Sequence, residues 1–176
     1  MKRIEVIALL FAACCLVQQT SATEPAKPPE LKVLEMFVGT WDCEVVMKPA
    51  ASTPKEVQDK TVEVNEMSLD GWFLHGSSKA QDGKTNAILL NTYDSVQKNY
   101  RIWRFTPGGS CEELRGEWDG ATTTLTITTD LGHGITQKAA FHLIDKDHRE
   151  YHVVAKDGDG KVYFDVQGKV TRRKSR

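Results

Sequence analysis

The sequence predicts an all-β fold, a single antiparallel up-and-down β-barrel of about ten strands behind a short N-terminal plug helix. Three observations carry this. Phe37 to Met47 alternates, with Gly39, Trp41, Cys43, Val45 and Met47 on one register and Thr40, Asp42 and Glu44 on the other. That period belongs to a strand with one face in a core and one in water. The same alternation recurs in short runs, separated by turn signals such as Gln81-Asp82-Gly83-Lys84, Pro107-Gly108-Gly109, Asp119-Gly120 and Asp157-Gly158-Asp159-Gly160. Helical spacing is convincing only at Leu31, Leu34 and Phe37, just after Pro29, a residue suited to a first turn. Consecutive strands with short links favour a meander, and closure of the meander removes its exposed edges.

The first residues stand apart from the fold. Lys2 and Arg3 precede an apolar run from Ile4 to Val17, and Thr20-Ser21-Ala22 supplies small residues for cleavage. This pattern predicts a signal peptide over 1–22 and a secreted or periplasmic protein. The run is too short for a membrane-spanning helix. Phe11-Ala12-Ala13-Cys14 loosely resembles a lipidation signal, so an anchor at Cys14 is the lesser alternative. Residues 23–30 read as a flexible leader, 31–172 as the barrel and 173–176 as a basic tail. The formal net charge is −1 at pH 7, which gives no electrostatic footprint for nucleic acid or an anionic membrane.

After Phe37–Met47 the strands are expected at 57–67, 71–78, 85–93, 99–105, 110–118, 121–129, 135–144, 149–156 and 161–172. Taking the more apolar alternation as inward gives Trp41, Cys43, Val45 and Met47, then Val62 and Val64, then Trp72 and Leu74. The fourth strand is apolar on both registers and stays open. Next come Trp103 and Phe105; Leu114, Gly116 and Trp118; Leu125 and Ile127. The last three strands add Ala139, Phe141 and Leu143; Tyr151, Val153 and Ala155; Val162, Phe164, Val166 and Val170. A bulge reverses any such assignment by one residue. The ligand-binding lining drawn from this pattern is Cys43, Val45, Met47, Leu74, Trp103, Phe105, Leu114, Phe141, Tyr151 and Phe164.

Three consequences follow. Cys43 points inward and Cys111 outward, on strands far apart in a meander, so no disulfide is expected. Arg172 continues the inward register of the last strand, which pairs with the first, and is expected to reach Trp41 at the plugged end. His75, His142 and His152 fall on outward registers, and His133 and His148 lie in turns, so no metal site is indicated.

Gly39-Thr40-Trp41 after a short helix, with an arginine ending the last strand, resembles the calycins, the superfamily of lipocalins and fatty-acid-binding proteins. The closer likeness is to secreted bacterial lipocalin-like domains of unknown function, carried by Leu34 to Trp41, Tyr93-Asp94 and Thr171-Arg172-Arg173. It covers nearly the whole chain after the signal segment. The resemblance implies an up-and-down barrel with an internal cavity, and Gly39, Trp41 and Arg172 as its structural signature. It brings no established reaction or ligand. Ten strands also resemble nitrobindin-like haem barrels, which implies an axial histidine from a late strand, here His142 or His152.

Chemical motifs are sparse. Asp157 to Lys161 looks like half a calcium loop, but Ala155 and Val166 would fill its first and twelfth positions. Gly83-Lys84-Thr85 lacks the earlier glycine of a phosphate loop, and no nucleophile elbow or Cys-x-x-Cys pair occurs. The reading is a non-catalytic barrel that binds a small apolar or amphipathic ligand, with no cofactor. The alternatives are a solid-packed structural or interaction protein of the envelope and a haem-binding barrel.

Overall fold

The computed structural model describes residues 26–174. The expected signal segment, most of the leader's start and the last two residues lie outside the described residues. Ten antiparallel strands close into a barrel, each bonded to its sequence neighbours and the last to the first. They are β1 (Gly39–Met47), β2 (Val57–Ser68), β3 (Phe73–Ala80), β4 (Thr85–Asp94), β5 (Asn99–Phe105), β6 (Cys111–Asp119), β7 (Thr124–Asp130), β8 (Thr136–Leu143), β9 (His148–Lys156) and β10 (Val162–Arg172). One α-helix, α1 (Leu31–Glu35), precedes β1.

α1 plugs one end because its apolar side has nowhere else to go. Leu31, Leu34 and Phe37 are buried among Leu74, Tyr100, Leu125 and Leu143, which sit where β3, β5 and β7 begin and β8 ends. The Tyr100 hydroxyl donates to the Glu30 carbonyl at 3.0 Å. The carbonyls at the end of the plug are then taken by side chains from the barrel. Trp41 Nε1 and Asn65 Nδ2 both donate to Phe37 O, at 2.9 and 3.1 Å. Arg172 donates to Val38 O, and to Met36 O at 3.3 Å. The helix's own last carbonyls accept from the Met36, Phe37 and Val38 amides, so the Gly-x-Trp and terminal Arg signature works here by tying down the turn that joins the plug to β1.

The Arg172 guanidinium carbon lies 4.0 Å from the Trp41 ring centroid. Gly39, at φ +129°, is the residue over which this arginine lies, and a Cβ there would collide with Arg172 Nη1. Trp41 itself is fully buried, in a cluster with Cys43 and Val170.

Residues directly opposite each other in an antiparallel ladder share a face, so the registers show what lines the interior. Trp41 and Cys43 oppose Glu63 and Thr61, which turns Glu63 and Asn65 inward and Val62 and Val64 outward, against the expectation for β2. On β4 the inward set is Leu89, Asn91 and Tyr93, opposite Arg104, Ile102 and Tyr100 on β5. Trp103 and Phe105 are therefore outside, a correction to the expected lining. Both registers of β4 and β5 are apolar enough to mislead. The outward aromatics bury surface against one another, with Phe73 and Trp103 centroids 6.3 Å apart and Arg101 4.6 Å from the Trp103 ring. Phe105 keeps 39% of its surface exposed.

β7 begins three residues later than expected. Asp119 accepts from the Ala121 amide at 2.9 Å and the Thr122 hydroxyl at 2.8 Å, and Thr123 takes φ +50°. This makes a wider loop than a tight two-residue turn. Among the described residues Cys43 is buried and Cys111 exposed, and both are free.

Candidate functional site

Above the plug lies an internal cavity of about 120 Å³. Leu34 and Phe37 form its floor, and its wall includes Leu74, Leu89, Ile102, Leu125, Ile127 and Phe141. These apolar positions come from consecutive strands whose alternation faces inward, so the chain folds them into one concave surface. The interior is thus not packed solid around this point.

The polar groups on that wall are Glu63, Asn65, Asn91, Ser77, Ser78 and Arg149. Arg149 retains only 6% exposure. It occupies the inward register of β9, opposite Leu143 and Val170, two residues before Tyr151. One Nη donates to Glu63 on the far side of β1. Its guanidinium carbon lies 4.7 Å from the Trp41 centroid and 5.5 Å from that of Phe37. Two arginines therefore attend one indole. Arg172 caps the plug from the end, while Arg149 reaches the cavity. Arg149 Nε is buried and has no hydrogen-bond partner among the described residues, where buried donors are nearly always satisfied.

The two asparagines are anchored through their nitrogens, Asn65 to Phe37 O and Asn91 to Leu74 O, each at 3.1 Å. Their side-chain oxygens remain as acceptors. Beside Glu63, burial pushes the Cys43 thiol up to about 12, so it is neutral and a poor nucleophile at physiological pH. Burial also raises Tyr151 and takes Tyr100 to about 12. The Tyr151 ring covers Gly168, where any Cβ would overlap it.

Of the lining expected from sequence, Leu74 and Phe141 border the cavity. Cys43, Val45, Met47, Leu114, Tyr151 and Phe164 lie on inward registers but outside its wall. Trp103 and Phe105 face solvent. Glu63, Asn65, Asn91 and Arg149 escaped the sequence reading because polarity was taken to mean exposure. One signal was available, since Trp41 inward in an antiparallel pair places its β2 partner inward too.

Haem does not fit these residues from within. His142 and His152 lie on the outer face, facing Glu150 at 3.4 Å and Asp165 at 2.9 Å, and no histidine occupies an inward register among the described residues. No group of three or more His, Cys, Asp or Glu side chains among them is arranged to hold a metal ion. In the Asp157–Lys161 turn, Asp157 accepts from the amides of Asp159 and Lys161 at 3.1 and 2.9 Å.

Solved structures share this barrel. Rv2717c from M. tuberculosis matches with a TM-score of 0.58 at 14% identity, over 85% of this chain and all of that one. The S-type phycobiliprotein lyase CPES from Guillardia theta matches with a TM-score of 0.53 at 13% identity, over 82% and 93%. A protein of unknown function from the DUF3598 family, from Nostoc punctiforme, gives 0.55 at 14%, over 80% of this chain and 49% of its own. At such identities the likeness is one of fold alone. No curated protein matches the chain. The family model described as "Protein of unknown function (DUF1579)" matches residues 27–172, and the chain belongs to that family.

Proposed function

We propose that the protein is an exported, non-catalytic barrel that holds a small amphipathic molecule in the cavity above its plug. The observation that carries the reading is the cavity itself, whose mainly apolar wall holds a few placed polar groups, the buried Arg149 and its partner Glu63 among them. Small-molecule sites are concave and mostly apolar, with a few placed polar groups. A cavity of about 120 Å³ is near the ~150 Å³ of an apolar cavity that admits benzene, and well below the ~300–1,000 Å³ of drug-sized pockets. The ligand class is accordingly a small ring or short branched chain with one polar head, rather than a long-chain lipid. Export is supported by the charged start, apolar run and small residues that end at Ala22.

A fragment screen by protein NMR tests the binding reading. Small amphipathic fragments are expected to shift the signals of Leu74, Ile127 and Phe141, and Ile127→Phe is expected to abolish binding while the folded spectrum persists. A screen with no interior shifts, or binding indifferent to Ile127→Phe, defeats the reading. Mass measurement of the exported protein, expected to begin at Thr23, tests localisation separately.

A further inference from the structure

Resting on that cavity reading, we propose that the site selects an uncharged head with an acceptor and a donor side by side, a primary amide or lactam, and rejects the matching carboxylate. A buried arginine on its own would invite an anion. Here its charge is already met by Glu63, which pairs with it inside the barrel. The second interior arginine, Arg104, is likewise matched, by Glu112 at 2.6 Å. Arg172 spends its donors on Met36, Val38 and Lys146 carbonyls and lies outside the cavity wall. No unmatched cation borders the cavity.

A carboxylate entering beside Arg149 would place two carboxylates on one guanidinium, against a mainly apolar wall. Like charges so close cannot both stay ionised at neutral pH without a large cost. A carbonyl oxygen meets a different environment. It can accept from the donors on that wall, the Arg149 guanidinium and the Ser77 and Ser78 hydroxyls. The neighbouring amide N–H has acceptors in the Glu63 carboxylate and in the side-chain oxygens of Asn65 and Asn91, whose nitrogens are committed to Phe37 O and Leu74 O. The wall thus presents neutral or charge-matched donors beside several acceptors, the complement of an amide.

The test compares isobutyramide with isobutyrate, matched in shape and small enough for the cavity, by NMR titration of the full chain at pH 7. The amide is expected to bind the native protein roughly tenfold or more tightly than the acid. Glu63→Gln, which leaves Arg149 unneutralised, is expected to narrow or reverse that order. Because this variant also breaks the Arg149–Glu63 pair, calorimetry of the native protein in buffers of different ionisation enthalpy supplies an independent measurement. Any isobutyrate binding is expected to take up a proton. Equal or tighter binding of isobutyrate to the native protein, with no proton uptake, overturns the selectivity and leaves the cavity reading intact. If neither compound binds and the fragment screen is also empty, the cavity reading falls and this inference falls with it.

Discussion

Two arginine–glutamate pairs face the barrel interior, and their surroundings differ. Arg149–Glu63 sits just above the plug, with side-chain exposures of 7% and 24%. Arg104–Glu112 sits towards the open end, at 37% and 42%. Arg104–Glu112 joins directly paired residues of β5 and β6, whereas Arg149–Glu63 reaches from β9 to β2 across β10 and β1; each arginine has a buried Nε without a partner among the described residues. What separates them is solvent. Near the mouth, water screens the charges and holds either partner if the other is lost. Above the plug, the Trp41 and Phe37 rings replace water, and each charge depends on the other. The same chemistry is therefore incidental at one end and a constraint at the other.

The strongest way to break the comparison is to remove one partner at each end. Arg149→Met leaves Glu63 half-buried without its counter-charge and strips a guanidinium from Trp41. Loss of one member of a buried pair costs about 3–5 kcal/mol, read from denaturant midpoints. Changing both, as Arg149→Met with Glu63→Leu, is expected to recover much of that loss, since a well-packed apolar replacement is often neutral. If the double variant is as unstable as the single one, the pair is not what stabilises this end.

Titration of the interior offers a second probe. Burial raises Cys43 from 9.0 to about 12, so the folded chain keeps a proton that the unfolded chain releases earlier. Stability from this group is complete below pH 9 and is lost as the pH climbs from there towards 12. The full effect is on the order of 2–4 kcal/mol, with Tyr100 acting in the same direction. Cys43→Ala should flatten the stability profile between pH 9 and 11. At pH 8, a thiol reagent should label Cys111 in the folded protein and reach Cys43 only on unfolding. Rapid labelling of both thiols would refute the burial argument.

These two regions also show what could be read from sequence. The strands and closure were legible because most strands carry one apolar and one polar alternation, as in Trp41/Cys43 against Asp42/Glu44 or Leu125/Ile127 against Thr124/Thr126. The rule breaks on β2, where Thr61, Glu63 and Asn65 face inward while Val62 and Val64 face out. It breaks again on β5, where Arg104 is inside and Trp103 outside. Both failures have one physical origin. A site needs polar groups within a core, and an outer face can shelter aromatics by packing them together, so apolar alternation points the wrong way where the interior is most polar. Arg149 was hidden for a related reason, as the first inward residue of a strand whose next three are Tyr151, Val153 and Ala155.

The plug cap is the next largest effect. Arg172→Lys keeps a positive charge over Trp41, yet one ammonium cannot reach the Met36, Val38 and Lys146 carbonyls that the guanidinium spans. Hydrogen bonds from a charged donor contribute about 1.5–3 kcal/mol, so a loss of about 2 kcal/mol is expected, with earlier amide exchange in α1. A variant with native stability and undisturbed exchange there would mean that Trp41 and Asn65 alone hold the plug.

The smallest effect belongs to the mouth and completes the comparison. Arg104→Met is expected to change stability by only about 0–1 kcal/mol, because Glu112 can turn to solvent when its partner is gone. It should also leave binding of an amide fragment above the plug unaltered, since Arg104 is not on that cavity's wall. The informative reading is its salt dependence. Partly exposed pairs are screened by added salt and buried ones much less, so raising the ionic strength should shrink the Arg104→Met penalty towards zero and leave that of Arg149→Met nearly unchanged. If both penalties shrink together, the two ends share one dielectric environment, and the plug does not set the Arg149–Glu63 pair apart.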